Sequence, residues 1–346
     1  MKIHKKIIAL FALLFITSLL LPACQTTTPV PTEAPQTGEG EVEETAPPQV
    51  LRVALVLPGL INDGGFNQLG YESLMAAKEN LGVEVTYVES VASADGAKFL
   101  RDYAEDGYDV IFGYSGGFIN SILQVAPEFP DTTFGAIADS SVEFPDNVWV
   151  IGHDYMDGFF LTGVLAGMMT KTDKLGFIGG QEFKSYVASS MAFEEGAKWA
   201  NPDAEVFITF VGDFNDPVAS KNIASAQFET GVDIIQSGVD NGVFGLFEAA
   251  NEAGDVWIIH YVKDLCGQSD VILASMTMAY PQYVQYIIEQ VAAGNPGGYT
   301  SNSVTEGFNE IHPCITLPDE VQAKMDEATE KIKAGELEYT HVTDLE

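Results

Sequence analysis

From Leu51 onward the chain alternates short β-rich apolar runs with amphipathic stretches, and few architectures accept that rhythm. Residues 51–57 (LRVALVL) read as a buried strand and residues 66–81 as a helix. Strands follow at 84–89, 110–114, 133–138 and 148–152, with helices at 96–106 and 119–129. Continuous apolar runs separated by helices mean a parallel sheet covered on both faces. The rhythm then restarts. A helix at 155–170 leads into strands at 174–179, 205–211, 234–237 and 256–260, with helices at 186–201, 217–229 and 241–253 between them. One more strand (271–275) and helix (281–293) precede a tail that predicts a strand near 304–310 and a helix at 319–334. The fold class is therefore α/β, in two similar halves. Ligands of such sheets sit at the carboxyl ends of the strands, and two facing lobes put the site in the cleft between them.

The segment before Leu51 has a different character. Lys2, Lys5 and Lys6 precede a 15-residue apolar run, 7–21. That is shorter than the roughly 20 residues a membrane-spanning helix needs and fits an export signal. It ends in Leu21-Pro22-Ala23-Cys24, which resembles a bacterial lipobox. On this reading residues 1–23 are a lipoprotein signal peptide and Cys24 is the lipidated first residue. An ordinary signal peptide with an incidental cysteine is the alternative. Residues 24–50 are rich in Thr, Pro and Glu and lack apolar periodicity, as expected of an extended, disordered tether.

Charge and cysteine usage narrow the function. The 50 acidic and 16 basic residues give a net charge of −34, which repels phosphate backbones and excludes nucleic acid as a main partner. Three cysteines exclude a disulfide-dense scaffold and a four-cysteine zinc site. In an exported protein Cys266 and Cys314 either pair or stay as two buried thiols. His153, His260, His312 and His341 show no metal-ligand spacing, so neither a metal nor a cofactor is expected. His153 and Asp154, at a lobe crossing, are further candidates for ligand contact.

The loops that follow strands carry the candidate chemistry. After the first strand comes Asn62-Asp63-Gly64-Gly65-Phe66-Asn67-Gln68. Asp63 either caps the helix or meets a ligand. Phe66 and Asn67 offer a ring and an amide suited to a planar, hydrogen-bonding ligand. No lysine follows the glycines, so a phosphate cradle is not expected. Gly113-Tyr114-Ser115-Gly116-Gly117 matches the G-x-S-x-G nucleophile elbow. A serine hydrolase would then use Ser115 with His312 and either Asp240 or Asp264; the rival is a Gly-rich loop whose backbone, at Ser115 and Gly116, faces the cleft. In the second half Asp216-Pro217 starts a helix, leaving Phe214 free to face Phe66. Gly238 and Asp240 follow a later strand, with Asp240 either an N-cap or a ligand contact.

These motifs also carry a resemblance. NDGGFNQLGYES, GHDYMDGFFLTGVLAG, KLGFIGG and GDFNDPVASKNIASAQFETGVDIIQ occur in this order. Together, from about Leu51 to Ala293, the chain is similar to the basic-membrane-protein family of lipoproteins, the purine nucleoside-binding subunits of ABC importers. The resemblance implies a type I periplasmic-binding-protein fold of two Rossmann-like lobes joined by three crossings. The expected lobes are 51–154 plus about 276–300, and 155–275 plus about 301–346. It implies a monomeric, non-enzymatic solute-binding protein, lipid-anchored outside the cell membrane, that hands a nucleoside or nucleobase to permease and ATPase subunits. A lipoprotein that senses its ligand is the other possibility. A purine would stack between Phe66 and Phe214, with Asp63, Asn67 and Asp139 on the first side and Gly238 and Asp240 on the second. Two positions depart from the family. Val262 stands where nucleoside binders carry an Asp, and Met276-Thr277-Met278 where they carry a Lys; both hold ribose hydroxyls in that family. Lys263 and Asp264 are the nearby residues able to substitute.

Overall fold

The computed structural model describes residues 50–138, 141–153, 155–301, 303, 307 and 309–345. Two six-stranded sheets carry the fold. In the first half β1 (Arg52–Val56), α1 (Phe66–Leu81), β2 (Glu84–Val88), α2 (Gly96–Glu105), β3 (Val110–Gly113), α3 (Ile119–Val125), β4 (Thr133–Ala138) and β5 (Val148–Gly152) follow in order. The second half runs α4 (Met156–Met169), β6 (Lys174–Gly179), α5 (Lys184–Ala200), β7 (Glu205–Phe210), α6 (Pro217–Glu229), β8 (Ile234–Gly238), α7 (Val243–Ala253), β9 (Trp257–Val262) and β10 (Ile272–Thr277). The tail adds α8 (Tyr280–Ala292), β11 (Gly298–Thr300), β12 (Glu310–Pro313) and α9 (Asp319–Lys333).

The strand orders are β11-β5-β4-β3-β1-β2 and β12-β10-β9-β8-β6-β7, the same winding twice. In each, the chain reverses direction across the sheet between its first and third strands, at β1/β3 and at β6/β8. All pairs are parallel except β10 with β12, which runs antiparallel from Ala274↔Pro313 to Thr277↔Glu310. The helix expected at 319–334 is observed as α9. Of the strand expected near 304–310, residues 304–306 and 308 lie outside the described residues; the short β11 joins β5 in the first sheet and β12, from Glu310, joins β10 in the second. The chain thus passes between the sheets after β5, after β10 and after β11, and α8 packs beside α1, where Asn80 Nδ2 donates to Gln285 Oε1 at 2.9 Å.

Burial explains why these segments form these elements. The strand residues of β1, β3, β4 and β5 are almost all buried, as two-sided coverage requires. Helix α4 is apolar nearly all round and is buried over most of its length. It lies against α5 at glycine contacts: a Cβ at Gly163 would collide with the Phe193 carbonyl, and one at Gly196 with that of Phe160. Two further apolar clusters line the outer faces of the two sheets, one around Phe118 and Phe134, the other around Ile235 and Leu246. Cys266 and Cys314 form a disulfide with Cα atoms 5.1 Å apart, tying the β9–β10 loop to the tail. Closing its 48-residue separation restricts the unfolded chain by roughly 4 kcal/mol in the loop-entropy model. Among the described residues no helix is long and apolar enough to cross a membrane.

Candidate functional site

The loop between β1 and α1 is built around one carboxylate. Asp63 is 2% exposed. It accepts hydrogen bonds from the backbone N–H groups of Gly65 (2.9 Å), Asn67 (3.1 Å) and Gln68 (3.0 Å) and from Asn67 Nδ2 (2.7 Å). Those amides open α1, so the anion satisfies donors that the helix cannot. Asn67 Oδ1 in turn accepts from Gly59 N at 3.0 Å. Two of the polar groups that the sequence offers to a ligand therefore hold each other and their own loop. Phe66, the first residue of α1, is half-buried at the end of this loop, while Leu60 and Asn62 are exposed.

The end of β8 meets that loop from the other sheet. Asp240 is buried, and its Oδ1 accepts from the Phe66 backbone N–H at 3.3 Å. Gly65 is required here, because a Cβ would collide with the Asp240 carboxylate. Burial pushes the Asp240 carboxyl up to about 8; the nearby Asp63 and Asp213 add to the shift and the Phe66 N–H opposes it. At neutral pH it therefore keeps its proton in this arrangement. Asn241 and Phe244 also reach Gly64, within 3.3–3.4 Å of where its Cβ would be. The Phe214 carbonyl accepts from Asp240 N and Gly242 N, both at 3.0 Å, so Phe214 and Asp240 are positioned as one unit. Gly238 lies beneath them and accepts from Gly180 N at 2.9 Å.

Aromatic rings surround this meeting point. Phe66 stacks on Tyr114 with centroids 4.5 Å apart and planes 28° apart, and meets the edge of Tyr280 at 5.5 Å. Phe214 packs on Tyr186 at 5.0 Å and Phe183 at 6.1 Å. The Tyr186 and Tyr261 hydroxyls share a short hydrogen bond. Burial raises both phenols well above their ordinary range, so they stay protonated. The two phenylalanines thus belong to separate aromatic groups, one on each side of the Asp240–Phe66 contact.

The remaining predicted residues fall elsewhere. Ser115 Oγ accepts from Gly117 N at 3.0 Å and opens a short 3₁₀ turn with an extended backbone, φ −176°. Gly116 faces His153, whose Cε1 is 3.6 Å from where a Gly116 Cβ would sit. The hydrolase constellation is not assembled: Asp240 accepts from Phe66, Asp264 accepts from Cys266 N at 2.8 Å, and His312 sits 3.3 Å from Thr277 on the β12 edge. Lys263 pairs with Glu72 of α1 at 3.2 Å, a second bridge between the sheets. Lys263 and exposed Asp264 help to line a cavity of about 480 Å³ beside the crossing after β10, together with Val262, Met278, Pro281 and Glu310. Its walls do not include Phe66, Phe214 or Asp240. Val262 itself is buried with φ +84°, a rare backbone state for a β-branched residue. Its carbonyl accepts from Met278 N at 3.0 Å. His260 is fully buried, and burial, then Lys263, lowers it to about 3, so it is neutral. Cys24, Asp139 and Asp154 lie outside the described residues.

Sequence reading missed the tyrosines. Tyr114 lies within the stretch read for Ser115, and the spacing of Tyr280, Tyr283 and Tyr286 by three reads as helix packing rather than a ligand box; the Tyr114 and Tyr280 rings contact Phe66.

Comparison with known proteins agrees with this architecture. The family model of PnrA-like ABC transporter substrate-binding proteins matches residues 50–340. A CD4+ T-cell-stimulating antigen of Listeria monocytogenes is 30% identical over 81% of this chain and 85% of its own length. A purine-binding protein of Brucella abortus is 28% identical over 83% and 82%. An ABC transporter nucleoside-binding protein of Lactococcus lactis is 32% identical over 59% and 61%. Among solved structures, an ABC transporter solute-binding protein of Conexibacter woesei superposes with a TM-score of 0.70 at 26% identity, covering 85% of this chain and 99% of that one. One from Aeropyrum pernix reaches 0.77 at 20% identity, covering 83% and 92%.

Proposed function

The chain belongs to the PnrA-like family of ABC transporter substrate-binding proteins, and from that premise we propose that it captures a purine nucleoside or nucleobase in the cleft between its two sheets. The observation that carries this reading is the meeting of two strand-end loops, each with its own aromatic group, through the Asp240–Phe66 contact. A flat base slides between Phe66 and Phe214 when the lobes part and is held when they rotate together, a hinge motion that suits three crossings. Stacking on an aromatic side chain contributes roughly 1–3 kcal/mol per base, and each buried hydrogen bond about 1 kcal/mol. Two rings and a few such bonds reach micromolar affinity, near −8 kcal/mol.

The sugar is held weakly in this reading. Val262 and Met276 are buried apolar groups, and Met276 Sδ packs toward Gly158. The ligand is released to an ABC permease, and the protein is tethered outside the membrane through a lipid on Cys24. Cys24→Ser moves it from the membrane to the soluble fraction; retention in membranes would rule out the anchor. Titration calorimetry with adenine, adenosine, guanosine and inosine tests the capture. Micromolar binding of at least one supports it, and no heat from any of them dismisses it.

A further inference from the structure

Asp264-Leu265-Cys266 follows β9, His312-Pro313-Cys314 ends β12, and β10 lies between those two strands in the second sheet. Strand β10 holds both runs without help from the disulfide. Leu265 N donates to Ser275 Oγ at 3.1 Å, and Cys314 N donates to the Leu273 carbonyl at 2.9 Å. Asp264 is exposed and both cysteines are partly buried. Asp264 Oδ1 accepts from Cys266 N at 2.8 Å, which turns the carboxylate back toward the sulfurs. One carboxylate oxygen and the two sulfurs all lie within 4.8 Å of one another. Among the described residues no other three side chains of His, Cys, Asp or Glu converge in this way. Two sulfurs and a carboxylate within reach of solvent are the donor set of a borderline-soft divalent ion.

We propose that, when the disulfide is reduced, Cys266, Cys314 and Asp264 bind one divalent ion of the zinc class, so that a disulfide and a metal are alternative staples between the β9–β10 loop and the tail. A dithiol supplies the reduction. Two electrons and two protons pass to the Cys266–Cys314 bond, which breaks into two thiols, and the dithiol leaves as its own disulfide. The ion then displaces both thiol protons, because only thiolates ligate. In a tetrahedral site with Zn–S bonds of about 2.3 Å, the sulfurs lie roughly 3.8 Å apart. Side-chain rotation reaches that spacing from Cα atoms 5.1 Å apart, while β10 keeps both backbones in place. Two thiolates favour zinc over magnesium or calcium. The carboxylate is a third ligand, and its exposure leaves the fourth position to water. Purine capture between Phe66 and Phe214 uses none of these groups, so zinc binding and purine binding stand or fall separately.

The test uses Cys24→Ser protein, in which Cys266 and Cys314 are the remaining cysteines. Oxidised samples, and samples reduced with a phosphine and then desalted, are titrated with Zn²⁺ against a chromophoric chelator. Co²⁺ serves as a spectroscopic stand-in, and the thermal midpoint is recorded with and without zinc. The expected result is that reduced protein takes up one Zn²⁺ per chain with a micromolar or tighter dissociation constant and that oxidised protein takes up none. Cobalt then develops a thiolate charge-transfer band in the reduced protein alone, and zinc raises the midpoint of that form. Asp264→Asn, which keeps both thiols, binds zinc about tenfold more weakly. Equal uptake by oxidised and reduced protein overturns the proposal, since surface carboxylates then account for it. So does no uptake by reduced protein, or uptake that lowers the midpoint, which marks thiols of the unfolded chain. An Asp264→Asn affinity equal to that of its parent removes the carboxylate from the site and overturns the three-ligand set.

Discussion

At the end of β1, the Asp63 carboxylate is completed within its own half, by four donors from residues 65–68. At the end of β8, the Asp240 carboxyl accepts from a donor in the other half, the Phe66 N–H 174 residues away. Every hydrogen bond that Asp63 accepts comes from its own loop and the start of α1. The second loop buries its carboxyl against the first, and that burial raises it. One carboxyl is held locally, and the other is held across the two sheets; under the proposed hinge motion only the second would change with closure.

That contrast is broken most directly by removing the phenylalanine ring that accompanies each carboxyl. Phe66→Ala and Phe214→Ala each weaken purine binding by at least tenfold, and the double variant by at least a hundredfold, measured by calorimetry. If either single variant titrates like wild type, the sandwich is wrong for that side. The next effect concerns Asp240. Its carboxyl lies near 8 in this arrangement, above its ordinary value of 3.8. A carboxyl raised in the fold contributes stability that is complete below the ordinary value and is lost as pH rises through 8. Each unit of pH in that window costs up to about 1.4 kcal/mol. Purine affinity therefore falls tenfold or more between pH 6 and pH 8. In Asp240→Asn, where an amide oxygen still accepts from Phe66, it stays flat. Matching pH profiles for the two proteins would mean that closure does not depend on this proton.

The two halves were legible because their strands are buried on both faces, which writes long apolar runs into the sequence. The expected bounds of α1, β4, β5, β6 and α6 coincide with the observed ones. In the tail the helix at 319–334 was legible, matching α9, but the pairings of the short strands were not. Strand β11 is three partly exposed residues whose pairing with β5 is set by neighbours such as Trp149, which donates to the Asn295 carbonyl at 3.0 Å. Strand β12 is an antiparallel edge without an apolar pattern. At the candidate site, residue types pointed to the right loops, but pairings did not follow from them. That Asp63 and Asn67 bond to each other is local and within reach of capping rules. That Asp240 meets Phe66, and that Tyr114 lies under it, are tertiary facts that no spacing records.

Lys263 sharpens the comparison at its weakest point. From sequence alone it is the cation able to reach a sugar hydroxyl; in the structure it bridges to Glu72 of α1, with side-chain exposures of 22% and 44%. A pair open to solvent on one side is worth about 0–1 kcal/mol. It therefore acts as a modest second clasp between the two sheets. Lys263→Met then lowers the affinity for adenine and for adenosine by the same small factor, less than about fivefold, because the substitution touches closure and not the ligand. If Lys263 instead grips ribose, adenosine alone loses affinity, and by much more, since a buried hydroxyl left unpaired is costly. The ratio of adenosine to adenine dissociation constants, taken in wild type and in the variant, separates the two: an unchanged ratio keeps Lys263 at the clasp, and a shifted one moves it into the ligand site.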